Sequence, residues 1–255
     1  MTETRDPLSP IAEMSGIRDA AERARSVLGE AHRHNANRRE WAKSATEASV
    51  RAARASSALD GGKTELDGTG DVQDPTLAGS LRVSQALDGE SLENMVKVWK
   101  RAPLQVLAKL HMLAAADLVE NTDALGRPRQ TPDVGERLEL LAHIVTGGTK
   151  APAPVIAAVV HGELLALRPF GTADGVVARA ASRLVAVASG LDPHNLGVPE
   201  SSWLQRASAY RSAAKGFATG TEQGVGNWVI LCCGALEAGG REAINIADAA
   251  AAAKK

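Results

Sequence analysis

Apolar residues recur at three- and four-residue steps along most of the chain and rarely alternate with polar ones, so the pattern predicts helices throughout. Ile11, Met14, Ile17, Ala21, Ala24 and Leu28 make one stripe, which predicts a helix over about 11–32. Asn35 and Asn37 mark a break, and a second helix over about 38–59 stops at Gly61–Gly62. Residues 61–75, rich in Gly, Asp and Thr, read as an exposed linker. Helices follow over about 76–88 and 91–119, the latter split or restarted at Pro103. Residues 121–133 carry Gly126, Pro128 and Pro132 and read as a loop. Two strongly apolar helices come next, over about 152–167 and 175–189, after a shorter one over about 133–146. The loop 168–175 between the apolar pair is too short to let them separate far. Helices over about 200–218 and 222–238 complete the core, and the Ala-rich end, 247–255, should fray. The fold class is therefore all-α. The chain divides into an N-terminal helical extension (1–60), a linker (61–75), a helical core (76–240) and an Ala-rich tail (241–255).

Composition narrows the function classes. Aromatics make up 3% of 255 residues, and the β-branched and aromatic runs of a strand-rich fold are missing. With 29 Lys and Arg against 30 Asp and Glu, the formal net charge is -1, which is no electrostatic footprint for a nucleic acid. One local basic cluster, His32–Arg33–His34 with Arg38–Arg39, reads first as a solvated helix face. The start of the chain, Met1 to Pro10, has no apolar segment of a signal peptide, and no apolar run is long enough to span a membrane. Cys232 and Cys233 are adjacent, so they suit neither a disulfide nor a metal site and read as buried thiols in a reducing compartment. The expected location is the cytoplasm. Abundant Ala and Arg fit a GC-rich bacterial genome.

The chemistry-bearing segment is Arg168-Pro169-Phe170-Gly171-Thr172-Ala173-Asp174-Gly175-Val176-Val177-Ala178-Arg179. It resembles the H-P-F-x-(D/E)-G-N-G-R-x-x-R motif of the Fic family, with the twelve-position spacing kept and Pro169, Phe170, Gly175 and Arg179 matching. Upstream, the helix carrying His161 looks like the one that leads into that motif. Downstream, Tyr210, Gly220 and Trp228 follow the family's late pattern. Ala55-Ser56-Ser57-Ala58-Leu59-Asp60-Gly61 is similar to the A-S-S-x-I-E-G signature of many Fic proteins. The resemblance covers roughly 50–238 and implies a Fic-like helical core, with room for a short β-hairpin flap near 121–133.

The family transfers AMP or a related phosphate-containing group from a nucleotide to a hydroxyl. By resemblance, Arg168 stands where the base should be, yet a guanidinium keeps its proton above pH ~12. Thr172 stands at the acidic metal-ligand position, where a neutral hydroxyl is a poor Mg²⁺ anchor. Ala173-Asp174-Gly175 replaces the glycine-rich phosphate nest, with Asp174 bringing negative charge to the phosphate position. Val176 replaces the first arginine. In family members with a self-inhibitory helix, a glutamate pairs with the motif's last arginine; carried over, that pair is Asp60 with Arg179, and the helix signature is Ser56, Asp60 and Gly61. The plainer alternative is that Ser56 and Asp60 simply end a helix. Phe170 reads first as a core plug and His161 as a hydrogen-bonded core histidine.

Three functions follow. The first is a catalytically silent Fic-like protein acting through a protein partner or regulation, with self-association left open. The second is a nucleotide or phosphate-ligand binder, or a transferase of altered chemistry, in which ATP and Mg²⁺ would return as ligands. The third is a helical scaffold. The first expects no resident metal or cofactor, and neither nucleic acid nor membrane as a partner.

Overall fold

The computed structural model describes residues 6–65 and 72–253. Residues 1–5, residues 66–71 of the expected linker and the two terminal lysines lie outside the described residues. Within those bounds the secondary structure is helical, with no strand. The N-terminal half holds α1 (Ser9–Ala12), α2 (Ile17–Arg33), α3 (Asn35–Leu59), α4 (Pro75–Ala86), α5 (Gly89–Trp99) and α6 (Pro103–Ala115). The C-terminal half holds α7 (Pro132–His143), α8 (Ala153–Leu167), α9 (Asp174–Ala188), α10 (Pro199–Gln205), α11 (Ala207–Ala218) and α12 (Glu222–Ala252).

Proline sets several of the starts. It occupies the first or second position of α4, α6, α7, α8 and α10, where its missing N–H costs nothing. Asp74 caps α4 by accepting the Leu77 N–H at 2.8 Å. The expected split at Pro103 is a full break between α5 and α6.

The apolar pair α8 and α9 packs together at the centre, joined by the 168–173 loop at one end. One side of the pair shares a core with α4, α5, α6 and α7, built on Trp99, Leu107, Leu110, Leu164 and Leu184. The other side of α8 meets α2, α11 and α12 around Ile17, Phe217 and Trp228. Burying such side chains stabilises by roughly 1.5–3 kcal/mol each, so this double-sided core fixes where the loop lies.

Four boundaries differ from the expectation. The stripe over 11–32 is cut after α1, because Gly16 takes a left-handed backbone (φ 78°) and restarts the helix as α2. The stretch 200–218 is likewise broken, at Arg206, between α10 and α11. The segment 121–133 forms no β-hairpin; it holds a single 3-10 turn at Thr122–Ala124. The end of the chain does not fray from 247: α12 runs to Ala252, with Ile246 and Ala247 buried. The helix expected over about 222–238 continues past that end through Gly239–Gly240, which make a packing contact. A side chain at Gly239 would strike the backbone of Val198 and Pro199, and one at Gly240 would strike α2 at Val27–Leu28. The helix therefore passes through the glycines to lie along α2 and α3.

No described helix is long and apolar enough to cross a membrane. Cys232 and Cys233 are buried free thiols, and burial pushes Cys233 up to about 12 and Cys232 up as well, so both stay protonated. The basic cluster is partly neutralised within the fold, with His32 on Asp192 at 2.8 Å and His34 on Asp248 at 3.1 Å.

Candidate functional site: the loop between the central helices

The loop begins where α8 ends. Arg168 takes a left-handed backbone (φ 47°) that closes the helix, and Gly171 (φ 81°) and Ala173 (φ 50°) turn the chain into α9. A left-handed residue other than glycine costs roughly 1–2 kcal/mol, so Ala173 is a strained position. The strain is held by ties from three directions.

The first tie comes from inside the loop. Asp174, at the first position of α9, is buried, and its Oδ1 accepts the Phe170 N–H at 2.9 Å, with the Gly171 N–H also bonding to the carboxylate. Burial raises its pKa above the usual carboxylate value, opposed by those two N–H groups and by the charges of Arg168 and Arg129. Oδ2 has no hydrogen-bond partner among the described residues; the Arg168 Nε lies 3.9 Å away. Arg168 is otherwise 68% exposed.

The second tie is His111 on α6. Its ring stacks on Phe170 with centroids 4.2 Å apart and planes 5° off parallel. Nδ1 accepts the Gly126 N–H at 2.9 Å, so Nε2 carries the hydrogen and donates to the Thr172 Oγ1 at 3.0 Å. Burial lowers the His111 pKa, which favours this neutral ring. The third tie is Arg129, which straps the 121–131 segment onto the loop. Its N–H donates to the Pro169 carbonyl at 2.7 Å, and its guanidinium donates to the carbonyls of Arg168 (2.9 Å) and Leu167 (2.7 Å). It caps the last carbonyls of α8, where a cation is also favoured by the helix dipole.

Behind the loop lies Arg179, the sixth residue of α9 and thus in its second turn. It is 2% exposed, and its Nη2 sits 2.9 Å from the Asp60 Oδ2. Asp60, 27% exposed, ends α3. The shorter aspartate reaches because α3 ends directly over Gly175: a methyl there would collide with the Asp60 carboxylate. Ser56 is part of the same joint. Its Oγ accepts the Arg179 Nε at 2.8 Å and its carbonyl accepts Nη2 at 3.0 Å. Gly61 turns the chain away with φ 86°.

The Arg179 Nη1 also donates to the Tyr210 hydroxyl at 3.4 Å, and that oxygen lies 2.9 Å from the His161 Nε2. The phenol accepts from the arginine, which leaves its own hydrogen for an unprotonated Nε2 in the Nδ1–H tautomer of His161. The other ring nitrogen, Nδ1, has no polar partner among the described residues, and Trp203 and Trp228 both stand edge-on to the imidazole. Burial first, and the Arg179 charge second, hold the His161 pKa well below the ordinary value, so it is neutral. Burial works against the charge of Arg179, but Asp60 and Tyr210 outweigh it. Tyr210 is pushed up to about 12 by burial against the pull of Arg179.

Val176, at the first-arginine position, is buried in the core. The donors expected of a nucleotide-and-metal site are therefore engaged elsewhere. Two loop N–H groups serve Asp174, the Thr172 hydroxyl serves His111, and Asp60 covers the start of α9. Among the described residues no three His, Cys, Asp or Glu side chains converge where a metal ion could sit. The geometry does not fit a magnesium nucleotide held as the motif of the resemblance would hold it.

A solved structure shares this arrangement of helices. A Fic family protein from Desulfovibrio desulfuricans G20 superposes with a TM-score of 0.65 over 91% of this chain and 75% of that one, at 16% identity. The chain has the Fic fold. No protein-family model and no curated protein matches the sequence. Within the Fic fold, the quoted loop residues and Asp60, Ser56 and Arg179 come together, whereas His111, Arg129 and the bridging role of Tyr210 were not foreseen. Each acts through a partner at least 31 residues away, and no local spacing marks it.

Proposed function

We propose that this chain is a catalytically silent Fic-fold protein that acts through a protein partner or by regulation in the cytoplasm. What supports this is that two carboxylates of the chain itself, Asp174 and Asp60, stand over the N-terminus of α9. They take the loop N–H groups and the buried arginine that a nucleotide's phosphates would otherwise use. With Arg168 in place of a base, the loop lacks a group that accepts a proton from an attacking hydroxyl; such a base is typically worth ~10²–10⁴-fold in rate. The α3 end acts as a permanent plug, because Asp60, Ser56, Tyr210 and Arg179 form one joint. One observation favours the second reading, a phosphate-ligand binder: Arg168 is largely exposed and its guanidinium is free to turn outward.

Incubation with labelled ATP and Mg²⁺ or Mn²⁺ is expected to leave no covalent adduct and no nucleotide-dependent thermal shift. An adduct lost in Arg168→Ala would overturn the proposal. A thermal shift without adduct, also lost in Arg168→Ala, would move the reading to ligand binding. A pull-down then identifies what the silent form engages.

A further inference from the structure

Beside Arg179, residues of α3, α4 and α9 with Asn195 and Glu200 border a cavity with about 30 Å³ of space open to the centre of a water molecule. Of the residues around it all but Ser84 are buried. Its walls are mixed: Ala52, Val83, Leu87 and Val176 border it, and so do the polar or charged residues Arg179, Arg183, Ser56, Ser80, Asn195 and Glu200. Cavities that stay empty in proteins are apolar, and ~10–15 Å³ by this measure holds one water.

Three unmet hydrogen bonds belong to residues that line this space. The Ser80 hydroxyl is buried and has no partner among the described residues. The Nη1 of Arg179 bonds only Tyr210, and the Nη1 of Arg183 bonds only Asn195, at 2.6 Å. Each Nη1 carries two hydrogens, so one N–H per arginine is left over. We infer that the cavity is a structural water site, holding one or two waters that accept from the two arginines and bond to the Ser80 hydroxyl. A water accepting twice has two hydrogens to give, and serine oxygens accept them. An anion is disfavoured because each arginine already has its carboxylate, Asp60 or Glu200, so an added charge would be buried unpaired. The site is independent of whether the loop is catalytic.

The direct test is a high-resolution crystal structure of the full chain, with a second crystal soaked in bromide. The expected result is solvent density within hydrogen-bond distance of the Ser80 Oγ and an arginine Nη1, with no anomalous signal. An empty cavity overturns the inference, and so does a bromide peak, which would make it a halide site. Thermal melts decide independently: with water in place, Ser80→Val lowers the Tm more than Ser80→Ala. If the cavity is dry, Ser80→Val fills it and raises the Tm, which also overturns the inference.

Discussion

Two buried arginines lie one helical turn apart on the same face of α9, and they are held very differently. Arg183 is held at all three nitrogens: Glu200 takes Nε at 2.7 Å and Nη2 at 2.9 Å, the Gly197 carbonyl takes Nη2 and Asn195 takes one hydrogen of Nη1. Both members of that pair are nearly invisible to solvent, at 8% and 3%. Arg179 has a single carboxylate contact, to an aspartate that keeps 27% of its side chain in water. Its other partners are a serine and a tyrosine. The Arg183 cluster ties α9 to Glu200 at the start of α10 and pins the 190–198 turn, through the Asn195 bond to the Leu87 carbonyl at 3.0 Å. The Arg179 cluster joins a helix end to the motif loop. The same residue type thus serves as a rivet in one place and as a latch in the other, and the exposure of the carboxylate tells them apart.

The largest effect should come from breaking the rivet. Glu200→Ala leaves a buried guanidinium without its anion and is expected to cost ~3–5 kcal/mol in denaturant melts. Asp60→Ala should cost less, about 1–3 kcal/mol, because water already reaches that carboxylate and can follow the vacated space. The double-mutant cycle of Asp60→Ala with Arg179→Ala is expected to show a coupling of ~0.5–3 kcal/mol; additive single effects would mean that the latch does not exist.

Acid should separate the clusters further. His161, reached from Arg179 through Tyr210, is depressed well below its ordinary 6.5. Below that pH the unfolded chain takes up a proton that the folded chain refuses, so stability falls with pH, by ~1.4 kcal/mol per unit until the folded value is reached. Replacing Arg179 with an uncharged residue removes one of the two causes, so the acid loss of stability should begin at the same pH and level off sooner. Glu200→Gln should leave that limb of the pH profile unchanged, and equal changes in both variants would erase the distinction. The smallest effect is at the loop itself. Ala173→Gly relieves a left-handed alanine and should stabilise by about 0.5–1 kcal/mol, net of the extra freedom of glycine in the unfolded chain.

Much of this was legible in the sequence, unevenly. Helical periodicity gave α8, α9 and the loop between them, because apolar runs bounded by Pro and Gly have few other solutions. The twelve-position spacing from Arg168 to Arg179 pointed to the Fic fold, and the Asp60 partnership followed from that resemblance. Helix ends were misjudged where glycine serves packing, as at Gly239–Gly240, since a stop signal and a close approach use the same residue. His111 and Arg129 were illegible, because a lone histidine on an apolar helix and an arginine in a loop carry no mark of the carbonyl or hydroxyl they will meet.

The inward fold of Asp174 has a consequence for any attempt to rebuild a working loop. Placing histidine at 168 and an acidic residue at 172 would add a base and a metal anchor to a seat already filled by a fixed negative group. On the proposed reading, Asp174 acts as a tethered competitor of any phosphate ligand, because it is one of the chain's own residues and accepts the loop N–H itself. Activity would have to be restored in order, Asp174 and Asp60 removed first and the reacting groups introduced afterwards; the reverse order would pass only through inactive intermediates. If the loop is silent as proposed, such one-way ordering keeps it silent.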